Sequence, residues 1–398
     1  MDEFALVLNA GSSSLKFAVF RVAGGADWPL VARGNIEGIG TAPKMSARDG
    51  EGAALATPTF NADVRDAAVA LERLMVWLRD RFAGGRLVGV GHRVVHGGPR
   101  YSAPAIVTAE VLTELRRLVP FAPLHQPYNL AAIDAVARQR ADVPQVACFD
   151  TSFHRTLPAV ARLLPLPTEV CRGGVERYGF HGLSYEYIAS VLPQVAPQIA
   201  QGRVIVAHLG SGASLCALRA GRSVETTMAF TALDGLCMGT RPGAIDPGVV
   251  LYLFQGLGLT VKEVETVLYK KSGLLGISGI SNDMRALLAS SDASAALAVD
   301  YFVYRVSKEV GALTAVLGGL DALVFTAGIG ENSPEIRRRV CAACAWLGIE
   351  LDERENDGSA SCITRRTSRV PAWRIPTNEE LMIARHTGRL LASVSGRP

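Results

Sequence analysis

No apolar run in this chain approaches the roughly 18 residues of a membrane-spanning helix, so a helical membrane protein is not expected. The start, Met1-Asp2-Glu3-Phe4, is acidic and lacks a positive n-region, so a secretory signal is not expected either. A large excess of either charge sign is also missing, with 41 Lys and Arg against 37 Asp and Glu. A formal net charge of +4 over 398 residues gives no case for nucleic acid and is at most a mild bias toward an anionic small molecule. The seven cysteines are odd in number and scattered without framework spacing, which fits a reduced, cytoplasmic chain. Cys341 and Cys344 have metal-like spacing, but they lie in a helical pattern with Ile336, Val340 and Leu347, so core packing is the better reading. There is no His/Cys cluster of zinc spacing, no Gly-x-Ser-x-Gly elbow with a matching triad and no Walker A lysine. Low-complexity segments are absent too.

What is present is a globular composition, 49% hydrophobic and 20% charged, in a chain long enough for two domains. One pattern occurs twice. Ala5-Leu6-Val7-Leu8 is an apolar strand running into Asn9-Ala10-Gly11-Ser12-Ser13-Ser14, followed by a second strand from Leu15 to Phe20. Val204-Ile205-Val206-Ala207 runs into His208-Leu209-Gly210-Ser211-Gly212, followed by a strand from Ala213 to Leu218. Both read strand, small-residue turn, strand. Such a hairpin aims backbone N–H groups and hydroxyls at one spot, which suits phosphate oxygens. Two of them are the logic of a duplicated ATP-binding fold.

Strands are expected at 5–9, 15–22, 31–38, 88–95 and 145–150, and helices at about 63–82, 108–119 and 128–140. Residues 40–58 read as an irregular excursion, and 151–200, with its prolines and Gly173-Gly174, as a bridge. Strands follow at 203–209, 213–219 and 222–229. A capping box from Thr260 to Glu263 opens a helix over 260–269, and a long helix covers 293–317. The strand at 322–325 leads to a Gly-rich turn and then to a helix with Ser333 as N-cap, Pro334 at its first position and Gly348 after its end. The last helix, 378–392, has Thr377 as its expected cap.

Asn9 through Ser14 with Lys16 is the first candidate phosphate site, since Lys16 is a point charge for phosphate. The turn Gly328-Ile329-Gly330-Glu331-Asn332, between a strand and a helix, fits the adenosine or α-phosphate of a nucleotide, or an ordinary strand-to-helix turn. Arg93 ends a strand before Gly97-Gly98, and Arg241 is framed by Gly239 and Gly243. Their planar forks suit carboxylate and phosphoryl oxygens, and a structural ion pair is the alternative for each. Asp150 stands at the C-terminal end of a strand, where α/β sites lie. His181 and His125, each a lone histidine, are either donors to an anion or satisfied core residues.

The ordered motifs Leu8–Lys16, His92–Gly98, Pro123-Leu124-His125, Phe149-Asp150-Thr151, Gly179–Gly182, His208–Gly212, Met238–Arg241, Asp283-Met284-Arg285, Gly328–Asn332 and Thr377–Glu380 resemble the acetate kinase family, within the sugar kinase, actin and Hsp70 superfamily. The resemblance covers nearly the whole chain. It implies an α/β fold with a duplicated actin-like (ribonuclease H-like) architecture, in domains 1–150 plus 381–398 and 151–380, with an active-site cleft between them. It implies Mg²⁺, for which Mn²⁺ can substitute, held by Asn9 and Glu379. ATP or ADP is the co-substrate, bound by Ser12, Ser14, Lys16, His208, Leu209, Gly210, Ser211, Gly212, Asp283, Met284, Arg285, Gly328, Ile329, Gly330, Glu331 and Asn332. Arg93 binds the substrate carboxylate, with Val95, Leu124, His125 and Phe180 around the acyl group. Asp150, His181 and Arg241 are the catalytic positions, and the assembly is a homodimer.

The implied reaction is in-line transfer of the ATP γ-phosphoryl group to acetate, giving acetyl phosphate and ADP. A carboxylate is already ionised at neutral pH, so attack needs no general base. Asp150 is therefore free to orient an arginine or a metal-bound water. Three positions depart from the family pattern: Ser211 for Asn, Ala232 for Pro and Ala10 for Cys. Ala232 is smaller than the proline lining the family's acyl pocket, which keeps a propionate kinase open. Butyrate and sugar kinases fit less well, and a non-catalytic actin- or Hsp70-like nucleotide-binding scaffold is the reading from another class.

Overall fold

A computed structural model describes residues 2–23, 28–60 and 64–395. The chain divides into two compact units, Met1–Ser152 with Asn378–Pro398, and Phe153–Thr377. Glu379 thus goes with the first unit, where the sequence places the join at 380.

The first unit holds a seven-stranded sheet. Its strands are β1 (Glu3–Ala10), β2 (Ser14–Arg21), β3 (Leu30–Glu37), β4 (Lys44–Asp49), β5 (Arg86–Val94), β6 (Ala105–Ile106) and β7 (Gln145–Phe149), in the order β4-β3-β2-β1-β5-β7-β6. β1 pairs antiparallel with β2 and parallel with β5, and β5 pairs parallel with β7. Parallel strands are covered on both faces, and β7 is accordingly buried throughout. Leu71 and Leu74 of the helix Ala67–Arg81 and Ala132 and Val136 of the helix Gln126–Gln139 share a core cluster with Leu6, Leu8 and Val19. The helix Glu379–Ser395 covers Gly89 and Gly91 of β5. A Cβ at Gly91 would lie 2.3 Å from Thr387 Oγ1, and one at Gly89 2.4 Å from Leu391 Cδ1, so glycine in alternation is what lets this helix approach.

The second unit holds a five-stranded sheet of β8 (Arg203–Leu209), β9 (Ala213–Arg219), β10 (Arg222–Thr226), β11 (Ala322–Thr326) and β12 (Ala372–Arg374), in the order β10-β9-β8-β11-β12. Tyr185, Ile188 and Leu192 of the helix Gly182–Val195 pack on Val204, Val206 and Val324. The 25-residue helix Ala293–Leu317 packs against β9. The order and sense of β10-β9-β8-β11-β12 repeat those of β3-β2-β1-β5-β7: an antiparallel hairpin and a third strand, then two parallel strands. The fold is therefore α/β and duplicated, of the actin-like type.

Several elements differ from the sequence reading. The stretch 151–200 is more than a bridge, because its apolar residues at helical spacing bury the helix Gly182–Val195 in the second core. The excursion 40–58 contains β4, whose burial alternates as an edge strand's does. The strand expected over 222–229 stops at Thr226. The helix expected from 63 begins at Ala67, where Asp66 accepts from the N–H groups of Ala68 and Val69, and residue 63 lies outside the described residues. The capping box of Thr260 and Glu263 is present, but its α-helix ends at Thr266 and a π-turn, Val267–Lys271, follows. In the last helix the first-turn N–H of Leu381 goes to Asn378 Oδ1, so Asn378 replaces Thr377 as the cap.

Candidate active site

In the first unit, strand register collects the candidates. Leu8 lies opposite His92, and Arg93 opposite Cys148, so Asn9, Arg93 and Asp150 emerge at one end of β1, β5 and β7. Arg93 Nε donates to Asp150 Oδ1 and Oδ2 at 2.9 and 3.1 Å, and Nη2 to Oδ2 at 2.5 Å. Its Nη1 reaches Asn9 Oδ1 at 3.4 Å, and Glu379 Oε2 stands 4.0 Å from Nε. Burial alone would lower the Arg93 pKa, but Asp150 and Glu379 outweigh it and keep the guanidinium charged. Burial pushes the Glu379 carboxyl up to about 7, against the pull of Arg93.

The turn that follows β1 closes with Gly11 N–H on the Ser14 carbonyl at 2.8 Å. Ser12 and Lys16 are exposed, with Lys16 opposite Asn9 in the β1–β2 ladder. Val95 is buried, while Leu124 and His125 are half-buried just before the helix Gln126–Gln139. Two residues of that helix carry a role that the sequence reading missed. Asn129 accepts from Val95 N–H at 3.0 Å and donates to the Ala10 carbonyl at 2.8 Å, tying the exit of β5 to the end of β1. Gln126 does the same for His96 through Oε1 and Nε2. Polar residues three apart on a helix face that is otherwise apolar were the available signal.

In the second unit β8 pairs with β11, with His208 opposite Thr326, so the turns 208–212 and 327–332 leave neighbouring strands together. His181 sits at φ 58°, in the left-handed region, immediately before the helix Gly182–Val195. Its ring stacks on that of His208 with centroids 4.1 Å apart and planes 15° apart. Its Nδ1 is 2.8 Å from Ser214 Oγ, which is 2.5 Å from Tyr185 Oη. His208 Nδ1 is 2.8 Å from Ser184 Oγ, which donates to Thr377 Oγ1. A Cβ on Gly212 would lie 2.7 Å from Arg241 Nη2 and 3.3 Å from His181 Nε2. Glycine at 212 therefore leaves the space into which both cationic or donor side chains point. Arg241 Nη1 donates to the Ala232 carbonyl at 2.6 Å. Ser211 accepts through its carbonyl from Gly239 N–H, joining the phosphate-type turn to the arginine's loop.

Other candidates lie further from this cluster in role. Phe180 is buried and its carbonyl accepts from His154 Nε2 at 2.9 Å. Asp283 binds its near neighbour Arg285, which is largely exposed, while Met284 between them is buried. Gly328, Ile329 and Gly330 belong to a helical turn, Ala327–Asn332, entered through Ala327 at φ 65°. Asn332 Nδ2 caps the Gly328 carbonyl within that turn. Glu331 Oε1 accepts from the N–H groups of Ala327 and Thr377 at 2.8 and 3.0 Å. That carboxylate braces the turn, at a position that the resemblance places among the nucleotide ligands.

Two fully or nearly fully buried arginines hold these loops, and the sequence reading named neither. Arg337 donates to the carbonyls of Gly330 and Glu331 and to Asn356, and burial lowers its pKa to about 10. Arg305 donates to the carbonyls of Gly235 and Ala244, on either side of Arg241. Cys341 and Cys344 are buried, and burial raises both thiols, Cys344 to about 11. Among the described residues no group of three or more His, Cys, Asp and Glu is placed to hold a metal.

Residues 4–385 match the family described as the acetokinase family. The chain belongs to the acetokinase family. It is 54% identical over 387 residues to an acetate kinase of Nitrobacter hamburgensis, covering 97% of this chain and 96% of that one. Among solved structures it is similar to a propionate kinase from Francisella tularensis, at 37% identity and a TM-score of 0.90, covering 97% of this chain and 99% of that one. It is also similar to the acetate kinase of Porphyromonas gingivalis, at 34% identity and a TM-score of 0.86, covering 98% and 100%.

Proposed function

We propose that this acetokinase transfers the γ-phosphoryl group of ATP to acetate, reversibly, giving acetyl phosphate and ADP. The observation that carries the reading is the convergence of Arg241, His181 and the Gly210–Gly212 turn on the space left open by Gly212. A carboxylate oxygen attacks the γ-phosphorus as the bond to the β–γ bridging oxygen breaks, and that electron pair leaves with ADP. No proton has to move. Phosphoryl transfer asks mainly for alignment and for neutralisation of the equatorial oxygens, the task of Arg241 and His181.

Arg93 takes the acetate carboxylate. Its Nε and Nη2 edge is committed to Asp150, so Asp150 orients the fork and turns Nη1, which makes a long 3.4 Å contact to Asn9 Oδ1, toward the substrate. Val95, Leu124, His125 and Phe180 are the positions that the family resemblance assigns to the acyl group. Lys16, Ser12 and Ser14, the turns at 208–212 and 328–332, and Asp283–Arg285 serve the nucleotide. The oxygen donors Asn9 and Glu379 suit Mg²⁺, a hard ion that keeps several waters and binds through one or two carboxylates plus phosphates. When bound, Mg²⁺ neutralises charge on the phosphates. The helix Pro247–Gln255 has no buried residue, and Val249, Leu251 and Tyr252 are exposed on it, so we assign this apolar face to a homodimer contact. All seven cysteines are free, which suits a cytoplasmic location.

Acyl hydroxamate formation with ATP and Mg²⁺ tests the reading, with acetate, propionate and butyrate run side by side. Acetate should give the highest kcat/KM, and Arg93→Ala should raise the acetate KM steeply. Propionate as the best substrate would change the acyl specificity and keep the mechanism. ATP binding with no hydroxamate from any acid would leave the scaffold reading.

A further inference from the structure

The hydroxyls behind His181 form a relay that the phosphotransfer reading does not use. Tyr185 lies one helical turn beyond His181, its N–H on the His181 carbonyl at 3.1 Å. Its hydroxyl returns to β9 and meets Ser214 Oγ at 2.5 Å, and Ser214 meets His181 Nδ1 at 2.8 Å. Tyr185 and Ser214 are both 0% exposed. Ser214 is the β-ladder partner of His208, whose ring lies flat against that of His181. The far nitrogen, Nε2, faces the Gly212 gap beside Arg241.

Resting on the phosphotransfer reading, we propose that Tyr185 and Ser214 are positioning residues that hold His181 with its proton on Nε2. A serine hydroxyl has one proton to give. With Tyr185 donating to Ser214 and Ser214 donating to Nδ1, the imidazole proton must sit on Nε2. Only that tautomer lets a neutral His181 donate toward an anionic phosphoryl oxygen. The reverse run, Nδ1–H to Ser214, leaves Nε2 as a bare lone pair facing negative charge, which repels it. Stacking on His208 fixes the ring plane, so the tautomer is the remaining degree of freedom.

The test is the ¹⁵N spectrum of histidine-labelled full-length protein, with the His181 signals assigned by their loss in His181→Gln. The wild type should show the Nε2-protonated form. Tyr185→Phe should move His181 toward a mixture of tautomers and lower kcat about 10-fold, taking as a guide the lower end of the loss when a partner that orients a metal-binding histidine is removed. The KM values for ATP and acetate should stay within about twofold, because ground-state binding is untouched. Ser214→Ala should do the same and carries the measurement if Tyr185→Phe does not fold, while Ser214→Thr, which keeps a hydroxyl, should retain the wild-type tautomer. Unchanged ¹⁵N shifts in Tyr185→Phe and Ser214→Ala, or a kcat loss without a tautomer change, would overturn the proposal. A wild type that makes no acyl phosphate would instead sink the phosphotransfer reading, and the spectrum would still decide the tautomer.

Discussion

The two units share one sheet topology and carry opposite chemistry at the same end of it. In the first, the strand ends present charge against charge: Arg93 is clamped by Asp150 and flanked by Glu379. In the second, His208 and Ser214 at the strand ends join His181 and Tyr185 of the helix Gly182–Val195 in a set of hydrogen-bonded rings and hydroxyls, with Arg241 anchored on a backbone carbonyl. A duplicated scaffold thus fixes where side chains emerge, and the residue types at the strand ends decide what each half does. Arg93 is restrained for docking a carboxylate. Arg241 faces a turn of N–H groups, which suits charge that appears only during transfer.

This contrast predicts different kinetic signatures for the two arginines. Arg241→Ala should lower kcat by about 10³-fold or more, the scale on which an arginine at a transferring phosphoryl group acts, with the acetate KM little changed. Arg93→Ala should act chiefly through the acetate KM. Steady-state kinetics of the two variants measure this directly, and identical effects on kcat and KM would erase the division of labour.

The next largest effect concerns stability. Asp150 is 1% exposed and pairs with a guanidinium that is itself mostly buried. Removing one member of such a pair leaves the other without compensation, at about 3–5 kcal/mol. Asp150→Ala should therefore shift the urea midpoint of the first unit more than Ser214→Ala shifts that of the second, where leaving the buried partners Tyr185 and His181 without the serine hydroxyl costs about 1–3 kcal/mol. Equal shifts would mean that the ionic half is no more tightly coupled than the neutral one.

Each unit also holds a histidine that burial keeps neutral, and here the halves should behave alike. His92, bonded to Gln145 in the first unit, and His154, bonded to Ser223 and the Phe180 carbonyl in the second, are both lowered by burial from 6.5 to about 4. Between those values the unfolded chain binds protons that the folded chain does not. Stability is therefore complete above pH 6.5 and falls as pH drops toward 4, by about 2 kcal/mol per histidine at pH 5. Denaturant midpoints at pH 7 and pH 5 measure the loss, and His92→Gln should reduce it by roughly its own share. An acid loss that is the same with and without His92 would remove that histidine from the account.

What the sequence made legible was local. The two strand-turn-strand repeats stand out because apolar alternation and small turn residues lie within a few positions of one another, as at 5–20 and 204–218. Arg93 and Asp150 could be singled out because each ends a recognisable strand. Arg337 and Arg305 could not, since their acceptors are backbone carbonyls brought near by tertiary packing, and nothing in the chain marks a carbonyl as lacking a partner. The motif of Glu331 points to a ligand, and its bracing of the turn is not legible because its partner Thr377 is 46 residues away in the chain. Thr377 was read as a helix cap because a threonine three residues before a glutamate has that form. Its N–H goes to Glu331 instead, and Asn378 takes the cap.

The smallest predicted effect is at Ala232. Its carbonyl holds Arg241, and that acceptor survives replacement by proline because only the N–H is lost. Ala232→Pro should thus leave kcat with acetate within about twofold of wild type. A ring in place of a methyl group should crowd a longer acyl chain more than acetate, since one methylene in an apolar pocket is worth about 1–3 kcal/mol when the pocket is tight. The ratio of kcat/KM for acetate over propionate should therefore rise by up to about tenfold in Ala232→Pro. A fall in kcat with both acids would show instead that the 230–235 loop is placed by its backbone N–H groups, and that position 232 sets the geometry of Arg241 in place of the size of the acyl group.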